Sequence, residues 1–123
     1  MIAVGTISNR KAAREMPLFM STFSYTPEVW AGLIKSPSNR EEAVAQIMEK
    51  AGCKLRGFWY AFGEKDGFAL IEAPDNTTVA GVVLKIVSSG AFRKFETTPV
   101  MTQGEALEAL RVAANVDYVA PGS

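Results

Sequence analysis

Between Leu18 and Tyr25 the chain sets Phe19, Ser21, Phe23 and Tyr25 on one side and Leu18, Met20, Thr22 and Ser24 on the other. This period of two predicts a strand with the more apolar side inward. The period then changes. Thr26-Pro27-Glu28 has the make-up of a helix start: a threonine cap, proline at the first helical position and an early acid. Trp30, Leu33 and Ile34 share a face of that short helix, and Pro37 ends it. Ser38 and Glu41 have capping-box spacing for a second helical run, with Val44, Ile47, Met48 and Ala51 as its buried stripe and Gly52 as its stop.

From Cys53 to Ala73 two apolar runs flank Gly63-Glu64-Lys65-Asp66-Gly67, a strong hairpin signal. In the first run Leu55, Gly57, Trp59 and Ala61 alternate with Phe58, Tyr60 and Phe62. In the second, Phe68 and Leu70 oppose Ala69 and Ile71. Asp75 is a good cap for a third helix with Val79, Val82, Val83, Ile86 and Val87 on its apolar side and Gly90 after its end. Ala91 to Met101 predicts a fourth strand, in which Pro99 points to an edge position or to the end of regular pairing. Thr102 and Glu105 open a C-terminal helix carrying Leu107, Leu110 and Ala114.

This order, β-α-β-β-α-β plus a terminal helix, predicts an α+β ferredoxin-like fold. Its four-stranded antiparallel sheet would carry the long helices on one face. Residues 16–115 form the domain. Residues 1–15 are an extension, either disordered or packed on a partner, and 116–123 are a tail. A sheet covered on one side should be polar on the other, yet both sides of the hairpin are apolar. The sequence therefore predicts self-association, most simply a homodimer placed face to face by a two-fold axis. In the alternative, the terminal helix or the N-terminal arm covers the open face within one chain.

Composition narrows the classes of function. The 123 residues suit one domain, and 48% hydrophobic content is enough for a core. Thirteen basic residues balance thirteen acidic ones, so no field favours nucleic acid or a membrane surface. The chain has no histidine, which excludes a Cys/His zinc site and a Ser-His-Asp triad. No metal site and no cofactor are expected. The single cysteine, Cys53, fits a reducing, cytoplasmic setting and is expected to be a buried, inert thiol. No run approaches the roughly 20 apolar residues of a membrane span.

With these elements in place, the chain resembles the GYD-domain family, small proteins of the dimeric α+β barrel group. The resemblance rests on Met16-Pro17-Leu18-Phe19-Met20, Tyr25-Thr26-Pro27-Glu28, Arg40, Gly52, Leu55 and the pair Trp59-Tyr60. It continues through Gly63-Glu64-Lys65-Asp66, Glu72-Ala73-Pro74-Asp75 and Gly90, covering about Met16 to Gln103. Lys65 stands where the family usually has a tyrosine. The resemblance implies a ferredoxin-like fold and self-association, but no agreed activity. The wider group includes cofactor-free monooxygenases, isomerases and haem-handling proteins, so fold transfers and function does not.

Six residues are candidates for a site: Tyr25, Trp30, Arg40, Trp59, Tyr60 and Glu72. Trp59 and Tyr60 could line a slot for a flat ligand, or fill the core and an interface. Arg40 could hold a ligand carboxylate at a pocket rim, or pair with a surface acid. Glu72 shares a side with Phe68 and Leu70 and could act as a base if buried; near a strand end it is solvated. Tyr25 is a candidate donor, or a satisfied core or rim tyrosine. Asp66 and Gly67 serve the turn. The leading reading is a small homo-oligomer with a pocket for a small apolar or aromatic molecule between sheet and partner. One alternative is a cofactor-independent oxygenase or isomerase using Tyr25, Tyr60 or Glu72. The other is a structural or interaction module without a ligand.

Overall fold

The computed structural model describes residues 16–122, so the extension 1–15 lies outside the described residues. Its elements are β1 (Leu18–Tyr25), α1 (Pro27–Lys35), α2 (Arg40–Lys50), β2 (Lys54–Tyr60), β3 (Gly67–Glu72), α3 (Asn76–Val87), β4 (Phe92–Val100) and α4 (Gln103–Ala114). The sheet is antiparallel with strand order β2-β3-β1-β4, the ferredoxin-like arrangement. Pro99 sits on an edge strand, because β4 pairs with β1 alone.

Helix starts follow their capping chemistry. The Thr26 hydroxyl accepts from the Val29 amide at 3.3 Å, and the Asp75 carboxylate accepts from the Thr78 amide at 2.8 Å. Thr102 and Glu105 close a complete capping box, at 3.1 and 2.8 Å. One cap moves by a residue: Asn39, and not Ser38, accepts from Glu42 N–H at 3.0 Å, so α2 begins at Arg40. Asparagine caps at least as well as serine, and its placement leaves Glu41 outside the box geometry. Gly52 and Gly90 follow α2 and α3 with φ of +81° and +77°, a conformation that only glycine adopts without strain.

The core lies between one face of the sheet and the helices α2 and α3. Phe19, Ile71 and Ala73 from the sheet meet Met48, Val79 and Val82, with Cys53 sealed at the α2–β2 junction. Burial raises the Cys53 thiol above its ordinary pKa, and Asp75 adds to this, which fits an inert side chain. Ile34, Ile47 and Val87, expected on the apolar faces of their helices, are exposed.

The hairpin departs from simple alternation. A bulge between Leu55 and Gly57 places Leu55 opposite Ile71 on the core side, while Gly57 and Trp59 lie opposite Leu70 and Phe68 on the far side. Leu55 therefore does not share a face with Gly57 and Trp59: the extra residue, Arg56, shifts the alternation by one. The strand also stops at Tyr60, leaving Phe62 fully exposed in the turn. The far side of the sheet carries Met20, Leu70, Phe68 and Trp59 in its middle. Its margins are charged: Arg56 pairs with Glu72 at 2.9 Å, and Lys65 with Glu96 at 2.8 Å. Lys65, the departure from the family pattern, thus links the hairpin turn to β4. In α4, Leu107, Leu110 and Val112 are all exposed, and the helix buries no residue.

Candidate functional site

At the C-terminal end of β1 the covered face of the sheet becomes aromatic. Phe23 packs against Phe58, Phe92 and Phe95 with ring centroids 5.7, 5.8 and 6.2 Å away. Tyr25 continues the row, 5.1 Å from Trp30 and 5.3 Å from Phe92. Such a floor is possible because Gly67 has no side chain: a Cβ there would overlap the Phe23 ring. Beside Phe23, Ser21 and Thr97 pair across β1 and β4 through hydroxyls 2.8 Å apart, so neither is left unsatisfied.

Above this floor the helix layer is open. A slot of about 440 Å³ runs between the α1–α2 segment and the end of α3. Val29, Gly32 and Leu33 come from α1, Arg40, Val44 and Ile47 from α2, and Lys85 and Ile86 from α3, with Tyr25 and Phe92 below. A chamber of about 30 Å³ lies deeper, against Phe23, Phe58, Met48 and Ala69. Tyr25, Val44, Ile86 and Phe92 line both spaces.

Tyr25 is 5% exposed, with its hydroxyl 3.5 Å from that of Tyr60. Burial, then the contact with Tyr60, pushes its phenol well above the ordinary tyrosine range. The nearby Arg40 guanidinium pulls the other way. Tyr25 is thus a neutral hydroxyl that can donate or accept a hydrogen bond. Among the described residues no carboxylate lies within ion-pair distance of Arg40, so the surface pair weighed for it does not form.

Four of the six candidates come together here. Tyr25 and Arg40 line the slot, while Trp30 and Tyr60 pack around Tyr25, 5.4 Å from each other. The other two do not. Trp59 lies over Gly57 on the far side of the sheet, 52% exposed. Glu72 is on that side too, held by Arg56 rather than left in solvent. Tyr25, Tyr60 and Glu72 therefore do not share one site.

Sequence reasoning missed Asp66 and Lys85. The Asp66 carboxylate accepts from the Trp30 indole N–H and from the Tyr25 amide, each at 3.0 Å, and its own amide donates to Phe23 O at 2.9 Å. It holds α1 and the end of β1 to the hairpin turn, so it does more than make the turn. Its pairing with Trp30 had no local signal. Lys85 has the ordinary placement of a cation in the last turn of a helix. Only the fold brings it to the same slot as Arg40.

The fold defines the class as a ferredoxin-like α+β domain with a slot through its helix layer. A family model described as GYD domain matches residues 19–110, most of the chain, and the protein belongs to that family. Among solved structures, the crystal structure of MtbAldR superposes with a TM-score of 0.51 at 13% identity. The match covers 83% of this chain and 67% of that one, and the likeness is one of fold. No curated protein matches the chain. No helix among the described residues is long and apolar enough to cross a membrane.

Proposed function

We propose that this protein is a cytoplasmic homo-oligomer that binds a small apolar or aromatic molecule in the slot between α1, α2 and α3. The slot itself carries this reading: about 440 Å³, apolar walls, an aromatic floor and a few polar groups. Those are the attributes of small-molecule sites, which span roughly 300–1,000 Å³. This reading takes the slot on the helix side as the ligand site, in place of a pocket between sheet and partner. The far side keeps the role of an association surface, supported by the apolar stripe of Met20, Leu70, Phe68 and Trp59. The single cysteine supports the cytoplasmic setting.

The oxygenase or isomerase reading draws less support. The slot lining holds a neutral phenol and two cations but no carboxylate to take a proton. Two measurements test the proposal. Calorimetric titration with neutral 1-naphthamide should show saturable binding of one molecule per chain. Sedimentation velocity at micromolar concentration should show a species larger than the monomer. Absence of binding would remove the ligand claim, and a monomer would remove the assembly.

A further inference from the structure

The slot is electrically one-sided. Its lining includes two cationic residues, Arg40 from α2 and Lys85 from α3, and no aspartate or glutamate. The two come from different helices and are brought together only by the fold. Each has an ordinary structural reading. Lys85 complements the negative end of α3, and a first-turn arginine is common on a solvated helix face. Both nevertheless border one apolar cleft: Lys85 is exposed at its rim, and Arg40 is half-buried beside the Tyr25 hydroxyl.

We propose that the slot selects an apolar or aromatic monocarboxylate, with its carboxylate held between Arg40 and Lys85 and its body on Tyr25 and Phe92. This rests on the small-molecule reading above and adds the charge and chemical class of the ligand. Three physical points carry it. A guanidinium is planar and matches the two oxygens of a carboxylate, while an ammonium adds a compact second charge. Apolar walls exclude water and so strengthen attraction at the mouth of the slot, where a carboxylate in water would feel little. Arg40 is also the first residue of α2, so the positive end of that helix favours an anion on the same side. The Tyr25 hydroxyl, held neutral, can donate to an oxygen that the cations leave free.

The number of charges sets the limit on the ligand. Two cations at the edge of an apolar cleft suit one carboxylate on an apolar body. A nucleotide or a polyphosphate would bring more charge than they balance and would need a polar floor. The floor here is aromatic, and Ser21 and Thr97 already satisfy each other.

The test uses three probes of one shape: 1-naphthoate, neutral 1-naphthamide and cationic 1-naphthylmethylamine. Each is titrated by calorimetry at low ionic strength against the native protein, Arg40→Gln, Lys85→Gln and the double variant. Denaturation midpoints confirm that the variants fold. Naphthoate should bind at least tenfold more tightly than the amide, and the amine more weakly than either. Each single variant should cut the naphthoate preference several-fold, and the double variant should bind naphthoate no better than the amide. Equal binding of naphthoate and amide by the native protein would overturn the proposal and leave the apolar slot standing. So would a preference that survives in the double variant. Failure of the neutral amide to bind the native protein would overturn the small-molecule reading as well.

Discussion

The indole N–H of Trp30 donates to the carboxylate of Asp66 at 3.0 Å, tying helix α1 to the turn of the β2–β3 hairpin. The same oxygen accepts from the Tyr25 amide, so three separate stretches of chain meet on one atom. This bond fixes the wall of the slot that α1 supplies. Asp66→Ala should destabilise the fold by about 1–3 kcal/mol, because it leaves two donors without their acceptor. Trp30→Phe should cost about 1 kcal/mol. A double-mutant cycle by chemical denaturation should give a coupling of at least about 0.5 kcal/mol. Strict additivity would show that the pair does not act together.

Gly67 allows the aromatic floor to approach the sheet. Gly67→Ala puts a methyl group into the space of the Phe23 ring, and overpacking of this kind typically costs about 1–3 kcal/mol. Phe23→Leu should cost stability alone but soften the effect of Gly67→Ala when the two are combined. A denaturation series on the four proteins measures this. Equal effects of Gly67→Ala in both backgrounds would mean that the ring contact does not set the cost.

Acid stability follows from two carboxylates. The Thr78 amide and hydroxyl hold Asp75 below the ordinary aspartate range, and Lys65 holds Glu96 below the ordinary glutamate range. A group whose pKa is depressed by folding binds protons more tightly in the unfolded chain. Its stabilisation is therefore complete above the unfolded value and is lost as pH falls through the folded one. The ordinary values are 3.8 and 4.5. The urea midpoint should hold from pH 7 to about 5 and decline below the mid-4s. Asp75→Asn should flatten the decline. A curve unchanged by that substitution would remove Asp75 from the account.

On the far side of the sheet, Leu70 sits between Met20 on β1 and Gly57 on β2, at the centre of the apolar stripe. Leu70→Lys places a charge there without touching the helix-side core. If this face is where copies meet, sedimentation velocity should show the variant as a monomer with a native circular dichroism spectrum. An unchanged oligomer would move the association surface elsewhere, with α4 as the next candidate.

The strands and the helices were legible because they rest on local rules, and the ferredoxin-like topology followed from their order along the chain. These rules are the period of two in β1, the caps at Thr26, Asp75 and Thr102, and the glycines at 52 and 90. The Arg56 bulge was not legible, since nothing in Lys54–Tyr60 itself marks which residue loses its partner. It changed which hairpin residues share a face, moving Leu55 to the core side. The site was legible by half. Tyr25 and Tyr60 follow from strand alternation, and Arg40 and Trp30 from their helix positions. That Arg40 and Lys85 line one slot, and that Trp30 meets Asp66, depends on how helices cross the sheet, which no local pattern encodes. Glu72 and Trp59 looked promising as residue types, but alternation puts them on the side away from the slot.

The slot is the centre of the account, and Gly32 gives direct access to it. Gly32 lines the slot from α1, and a Cβ built there meets nothing within 4 Å. Gly32→Trp should therefore fill the cleft while keeping the fold, since glycine inside a helix is itself unfavourable by about 1 kcal/mol. The decisive measurement is calorimetric titration of 1-naphthamide into the native protein and into Gly32→Trp, with circular dichroism on both. The account predicts saturable binding of one molecule per chain to the native protein, and none to a folded Gly32→Trp. Binding of equal strength to both proteins, or to neither, would contradict it.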